Sequence, residues 1–134
     1  MVVDGLTTTK SHYGPNETVS RLEAAIKARG MSVFAHIDHR AGAVAVGMAL
    51  RPTDVLIFGN ARGGTPLMHL AQTIGIDLPL KILAWQDASG ATWISYNDPA
   101  WLAERHALGG DAAATVSALA ATLHAIVEAA GAGH

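Results

Sequence analysis

The chain has 134 residues, half of them hydrophobic, and a formal net charge of −2 at pH 7. This length suits a single domain over residues 1–134, with a core of about 6–127, that buries roughly two-thirds of its unfolded surface. The absence of cysteine excludes disulfides, zinc–thiolate sites, iron–sulfur clusters and cysteine nucleophiles. The acidic balance offers no basic field to phosphate backbones, so we expect no nucleic-acid partner.

The compartment follows from what the N-terminal residues lack. Residues 1–5 have neither the basic start nor the long apolar stretch of a signal peptide. The longest weakly polar run that we identify is Gly42 to Leu50, far short of the ~20 residues that a membrane helix needs. We therefore expect a cytoplasmic protein with no membrane partner.

The first third of the chain predicts a strand, a helix and a second strand. Residues 6–10 are rich in β-branched residues and predict the first strand. The following helix is expected to have Asn16 or Thr18 as its cap and to stop at Gly30. Residues 32–39 predict the second strand. Its alternation places Val33, Ala35, Ile37 and His39 on one face and Phe34, His36 and Asp38 on the other. Residues 41–50 fit either a short helix or a strand.

The middle of the chain predicts a buried strand at Val55–Phe58, a glycine-rich loop and a helix. Thr65 is expected at the N-cap of that helix and Pro66 at its first position, with the helix running to Ile74.

The last third predicts a hairpin followed by two helices. Strands at 80–86 and 92–96 flank the turn 87–90. The next helix has Asp98 as its N-cap and runs to about Leu108, and the last helix begins at Asp111, with fraying expected over 131–134.

Together these elements predict an α+β fold. A mainly antiparallel sheet of about five strands carries helices packed on one face, in β-α-β-β-β-β-α order with extra short helices. We expect Trp85, Trp93 and Trp101 to supply the bulky part of the core.

Several motifs recur in a known family. They are Phe58-Gly59-Asn60, Thr65-Pro66-Leu67-Met68, Asp77-Leu78-Pro79-Leu80-Lys81, Tyr96-Asn97-Asp98-Pro99, Ile37-Asp38-His39 and Leu102-Ala103-Glu104-Arg105-His106. From about residue 6 to 127 the chain resembles the domain of unknown function 302 family. The resemblance implies a small α+β fold related to the TATA-binding-protein-like class, and a homodimer, but no assigned activity. The family usually has proline after Gly-Asn, where this chain has Ala61.

The segment Gly59–Thr65 is the leading candidate for a ligand site. Unpaired backbone N–H groups at a loop and helix start suit an anion or a polar small ligand, although a plain strand-to-helix turn would use the same residues. No lysine follows the last glycine, so a nucleotide triphosphatase is disfavoured. The predicted ligand-binding residues are Gly59, Asn60, Gly63, Gly64, Thr65, Lys81, Asn97 and Arg105, with Asp38, His39 and His106 nearby.

An enzyme is the main alternative. His39 or His106 would act as a general base, with Asp38 as the orienting carboxylate. His39, His106 and His69 could form a metal cluster, but surface or hydrogen-bonded histidines are the simpler interpretation, and we predict no metal and no cofactor. No Gly-x-Ser-x-Gly elbow occurs, which disfavours a serine hydrolase.

Two further alternatives concern charged residues. Arg105 and His106 either face the glycine segment and hold an anionic ligand, or belong to a salt bridge beside a capped helix. Lys81 either extends to the sheet edge, or shares with Leu83 and Trp85 a strand face that a partner subunit covers. The second possibility for Lys81 also suits a protein-interaction module without a small-molecule site.

Overall fold

A computed structural model describes residues 2–133 and shows one antiparallel sheet of five strands. The strands are β1 (Leu6–Ser11), β2 (Ser32–Asp38), β3 (Thr53–Gly59), β4 (Leu80–Gln86) and β5 (Thr92–Asn97). Their order across the sheet is β1-β5-β4-β3-β2, and every neighbouring pair is antiparallel. The predicted α+β class and the β4–β5 hairpin are confirmed.

Five helices connect and cover these strands within residues 2–133. They are α1 (Pro15–Ala28), α2 (His39–Ala45), α3 (Ala61–Leu70), α4 (Pro99–Arg105) and α5 (Ala113–Gly131), with 3-10 turns at Gln72–Ile76 and Gly110–Ala112. Helices α1 and α5 pack against each other and against the same face of the sheet. That face is called the inner face below, and the opposite one the outer face.

The core consists of two adjoining clusters of apolar side chains. The main cluster lies between the inner face and helices α1 and α5, and includes the fully buried Phe58, Leu22 and Ile126. A smaller cluster includes Leu67, Ile74, Leu102 and Ala112, and joins α3, α4 and the 3-10 turns. Leu78 and Leu119 are half-buried and pack against both clusters, so they mark the junction between them.

The tryptophans do not form the core, contrary to expectation. Trp85 and Trp93 lie opposite each other in the β4–β5 register, with ring centroids 6.3 Å apart. They alternate with the buried Ala84 and Ile94, so they lie on the outer face. Trp101 is 39% exposed on α4. Leucine, isoleucine and Phe58 fill the interior because the inner-face positions of β3 and β4 carry those residues.

A β-bulge in β2 alters the predicted alternation. Val33 pairs with Phe58 and Ala35 pairs with Ile57, which leaves Phe34 as an extra residue without a partner. Val33 and Ala35 therefore lie on opposite faces, and the prediction that they share one is wrong. His39 does not belong to β2 but begins α2, and residues 46–52 after that helix are irregular.

Helix caps differ from the predicted ones at two places. Gly14 precedes α1 and Pro15 opens it, so neither Asn16 nor Thr18 is its cap. Asp98 stands at the N-cap position of α4, but its carboxylate accepts a hydrogen bond from the Thr7 hydroxyl rather than from a helix amide.

Helix α5 also differs from expectation at its C-terminal end. Gly131 is its buried last residue rather than part of a frayed tail. The Ile94 side chain packs so closely on it that a Cβ at this position would lie 3.0 Å away. The expectation for His134 lies outside the described residues.

Residues 110–131 are longer and more apolar than the run at 42–50. Within the described chain they form the one helix that is long and apolar enough, by length and composition, to cross a membrane. Core helices of globular domains meet the same criterion, so this is a weak indication. In α5, Leu123, Ile126 and Val127 face the main core cluster.

Candidate functional site

The segment after β3 is a capped helix start rather than an open loop. Gly59 ends the strand with φ of +151°, a conformation that favours glycine, and its backbone is buried. Asn60 is the N-cap of α3, and its side-chain oxygen accepts a hydrogen bond from the Gly63 amide at 2.8 Å. The Gly64 amide also points back, to the Asn60 carbonyl at 3.4 Å.

The predicted helix start, with Thr65 as N-cap and Pro66 as first residue, is therefore wrong by five residues. Thr65 lies in the second turn, and Pro66 lies inside the helix. An asparagine at the N-cap position satisfies an early amide as well as threonine does, and this contact starts the helix at Ala61. Gly63 and Gly64 consequently belong to the first turn of α3 and do not form a flexible ligand-binding loop.

A cavity of about 650 Å³ lies directly beside this helix start. It opens between the C-terminal end of α1, the first turns of α3 and α5, and the β2 edge of the sheet. Its apolar lining includes Phe34, Met31, Met68, Leu78, Leu80 and Leu119. The volume is in the range of small-molecule sites.

The charge at the cavity is uniformly positive. Arg29 and Arg62 are the charged residues of its lining, and no carboxylate lines it. Both arginines are exposed, and neither guanidinium group has a hydrogen-bond or ion-pair partner among residues 2–133. Arg62 also lies in the first turn of α3, where the helix dipole adds positive potential.

Four predicted ligand-binding residues line the cavity: Gly59, Asn60, Gly63 and Gly64. The other members of the predicted set do not line it. Lys81 lies on the outer face opposite Ile57, and its ammonium group donates to the Pro79 carbonyl at 3.4 Å. Asn97 ends β5 and pairs with Leu6, at the other edge of the sheet. Thr65 is exposed on α3 and does not belong to the lining.

Asp38 and His39 serve the start of α2. Asp38 is its N-cap, and the carboxylate accepts a hydrogen bond from the Ala41 amide at 2.9 Å. His39 is the exposed first residue of that helix. The expected role of Asp38 as an orienting carboxylate for a histidine is not what the structure shows, because its partner is a backbone amide.

Arg105 and His106 belong to a network with Asp77 and do not face the glycine segment. Nε2 of His106 lies 2.5 Å from the Asp77 carboxylate, and Nδ1 lies 2.9 Å from the Thr73 hydroxyl. Both ring nitrogens are thus occupied by protein partners, and the His106 side chain is only 8% exposed. The salt-bridge alternative for Arg105 is the one found.

The histidines do not assemble a metal centre in the part of the chain that is described. Over residues 2–133, no three histidine or carboxylate side chains come together closely enough to hold an ion. His36 instead lies between Glu23 and Asp54, 2.6 Å from the latter.

Sequence reasoning missed Arg29, Phe34 and the cavity-facing side of α5. That side includes Thr115, Ala118, Leu119 and Thr122 as well as Ala114, and the spacing of three and four residues places them on one helix face. This helical spacing is visible in the sequence and could have indicated a shared face of α5. The position of Phe34 was not, because it depends on the bulge in the β2–β3 register.

The open antiparallel sheet with helices on one face defines a small α+β domain. Comparison of the sequence with known families gives its family. The chain belongs to the family described as Domain of unknown function DUF302, which it matches over residues 7–129. It is also similar to a crystal structure of an uncharacterized conserved DUF302 protein from Bacillus stearothermophilus. The TM-score is 0.84 at 21% identity, covering 96% of this chain and 99% of the other. At this identity the likeness shows the fold alone.

Curated relatives come from Brucella. The chain is 50% identical over 109 residues to "Fluoride-specific ion channel FluC 1" of Brucella suis biovar 1 (strain 1330), which covers 81% of this chain and 43% of that protein. It is equally similar to "Fluoride-specific ion channel FluC 2" of Brucella melitensis biotype 1, covering 40% of that protein. The chain thus spans about two-fifths of the length of these relatives.

Proposed function

We propose that this protein is a cytoplasmic, homodimeric module that binds a small polar or anionic ligand in the cavity beside residues 59–64. The main support for ligand binding is the cavity of about 650 Å³, because its lining includes two unpaired guanidinium groups and no carboxylate. Positive potential without a neutralising partner favours a negatively charged occupant. The amide side chain of Asn60 adds a polar group at the same wall.

The ligand proposal is tested by titrating ¹⁵N-labelled protein with sodium phosphate, sodium acetate and a panel of small organic acids. Binding shifts the backbone amides of residues 60–64 and of Arg29. Asn60→Asp keeps a good N-cap but places negative charge at the wall, so it weakens anion binding several-fold without unfolding the helix. Asn97→Asp, at a predicted residue away from the cavity, is the matched control. Absence of any saturable shift at residues 60–64 contradicts the proposal.

The outer face of the sheet supports the homodimer. Val55, Ile57, Leu83, Trp85 and Trp93 are half-buried there, and none of them belongs to the core clusters of residues 2–133. A contiguous apolar sheet face of this kind usually meets a partner. Two copies related by a two-fold axis would bury the same face on each chain.

Light scattering coupled to size-exclusion chromatography tests the dimer. Leu83→Lys places a charge in the middle of the outer face and converts the dimer to a monomer. Ala24→Lys, on the exposed side of α1, leaves the dimer intact. A monomeric wild-type protein at micromolar concentration rules out a stable dimer.

The Brucella relatives favour a second candidate function. Half of the aligned residues are shared with proteins named as fluoride-specific ion channels, although this chain spans only part of their length. We propose that the domain works with a fluoride channel. Deleting its coding sequence would lower the fluoride tolerance of the source organism, and the wild-type chain, but not Arg29→Gln/Arg62→Gln, would restore it. Unchanged tolerance after deletion contradicts this candidate.

A further inference from the structure

The cavity wall is mainly apolar. The lining side chains of β2, β4 and α5 that carry no hydrogen-bonding group include Phe34, Leu80 and Leu119. Leu78 and Leu119 also mark the junction of the two core clusters, so the cavity is a lateral opening of the core rather than a polar surface groove.

The two glycines of α3 bring its backbone close to this apolar wall. A Cβ at Gly64 would lie 3.4 Å from Leu78 and 3.7 Å from Met68, and one at Gly63 would lie 3.8 Å from Leu119. These are ordinary apolar contact distances, so the helix start borders hydrocarbon on its inner side. A hydrophilic anion without an apolar body would leave that surface in contact with water.

The charged groups are segregated from this wall. Arg29 follows the last residue of α1 and Arg62 is the second residue of α3, and both side chains are exposed at the opening. Phe34, which the bulge leaves without a pairing partner in β3, is 57% exposed and lines the same cavity. An apolar interior with cationic groups at its opening matches a molecule with an apolar body and one anionic head.

The geometry points to an amphipathic organic monoanion, such as an acyl carboxylate, as the ligand class of this cavity. The head group pairs with Arg29 and Arg62, and the apolar body lies along Leu119 and Met68. This inference rests on the proposed ligand-binding function and narrows it from polar or anionic ligands in general to those with a hydrocarbon portion.

A homologous series tests the apolar part. Butanoate, hexanoate and octanoate carry the same head group, and each buried methylene tightens binding by roughly two- to fourfold. Octanoate should therefore bind more than about tenfold tighter than butanoate, with amide shifts at Gly63, Gly64 and Leu119. Ala118→Trp fills the cavity from α5 and abolishes octanoate binding. Ala121→Trp, on the exposed side of the same helix, does not.

A second arm tests the anionic head. Octan-1-ol lacks the charge, and octyltrimethylammonium reverses it, so both should bind more weakly than octanoate. Arg29→Gln/Arg62→Gln lowers octanoate affinity by about fivefold or more, but leaves octan-1-ol unchanged. Arg40→Gln/Arg51→Gln, at two exposed arginines away from the cavity, is the matched control.

Three outcomes decide between the possibilities. Tightening with chain length together with dependence on Arg29 and Arg62 supports the inference. Phosphate or acetate binding at residues 60–64 without any gain from chain length overturns the inference and leaves the proposed function standing. No binding by any member of either panel overturns both.

Discussion

Nη1 of Arg105 lies 2.8 Å from each carboxylate oxygen of Asp77. The same carboxylate accepts a hydrogen bond from Nε2 of His106, and Nδ1 of that ring is hydrogen-bonded to the Thr73 hydroxyl. Two consecutive residues at the end of α4 are thereby tied to the 3-10 turn that precedes β4. This network explains the polar residues at 77 and 105–106 as structural, without a ligand.

We expect Asp77→Asn to lower the free energy of unfolding by about 1–3 kcal/mol, because the buried His106 ring loses its charged partner. Arg105→Gln should lower it by less than about 1 kcal/mol, since the Arg105 side chain is half exposed. Urea denaturation at pH 7 measures both. Asp111→Asn, at an exposed carboxylate, is the control. Equal losses for Asp77→Asn and Arg105→Gln would show that His106 does not depend on the carboxylate.

Asp87 makes the β4–β5 hairpin sensitive to acid. Hydrogen bonds from the Trp93 indole and the Ser89 hydroxyl, with the amides of Ala91 and Ser89, lower the pKa of its carboxyl well below the usual range. The folded pKa lies below the unfolded value of about 3.9, so the stabilisation is fully present above that pH and is lost as pH falls through the folded pKa.

The difference in stability between wild type and Asp87→Asn should therefore be constant from pH 7 to about pH 5 and shrink below about pH 4. Urea midpoints measured at several pH values test this. The matched change Asp111→Asn should show no such pH dependence. A wild-type–variant difference that grows on acidification would have the wrong sign for this mechanism.

Ala61→Pro should stabilise the protein by about 0.4–1 kcal/mol. Ala61 is the first residue of α3, where proline fits without losing a helical hydrogen bond. Asn60 before it is extended, with φ of −151° and ψ of 159°, as a residue preceding proline requires. Thermal unfolding measures the gain. Ala121→Pro, in the interior of α5, should instead destabilise by roughly 3 kcal/mol, and loss of stability in Ala61→Pro would contradict the observed helix start.

The two phenylalanines provide a matched test of the core and the cavity. Phe58 is fully buried and Phe34 is 57% exposed. Phe58→Ala should lower the free energy of unfolding by about 3–5 kcal/mol, and Phe34→Ala by less than about 1 kcal/mol. Denaturant unfolding of both variants checks this. A large loss for Phe34→Ala would indicate that this side chain supports the fold rather than the cavity.

Elements with strong local signals were predictable from the sequence. The β4–β5 hairpin has alternating apolar residues and a turn whose Asp87 bonds to the backbone at Ser89, and these signals act within a few residues. The start of α3 was mispredicted because Asn60 and Thr65 are both suitable N-caps. Only the contact from Asn60 to the Gly63 amide decides between them.

The candidate site was only partly predictable, because its parts meet through tertiary structure. Asn60 and the two glycines stand in one segment, but Arg29 and Leu119 reach the cavity from helices far apart along the chain. Phe34 reaches the cavity only because the β-bulge shifts the register of β2 against β3 by one residue. The motifs that contain Asp77 and Arg105 are as polar as the segment at residues 59–64. Their charged side chains, however, pair with each other rather than with a ligand site.

Pro66 has a consequence for the turn that precedes it. Its ring nitrogen has no hydrogen to give, so the Arg62 carbonyl lacks the bond that an uninterrupted α3 would provide. Residues 61–64 are therefore fastened to the remainder of their helix more weakly than any turn of α5 is to its neighbours. We expect hydrogen–deuterium exchange to be faster at the amides of residues 61–64 than at the amides of α5. The α3 side of the cavity would then be the first part of the helical layer to open.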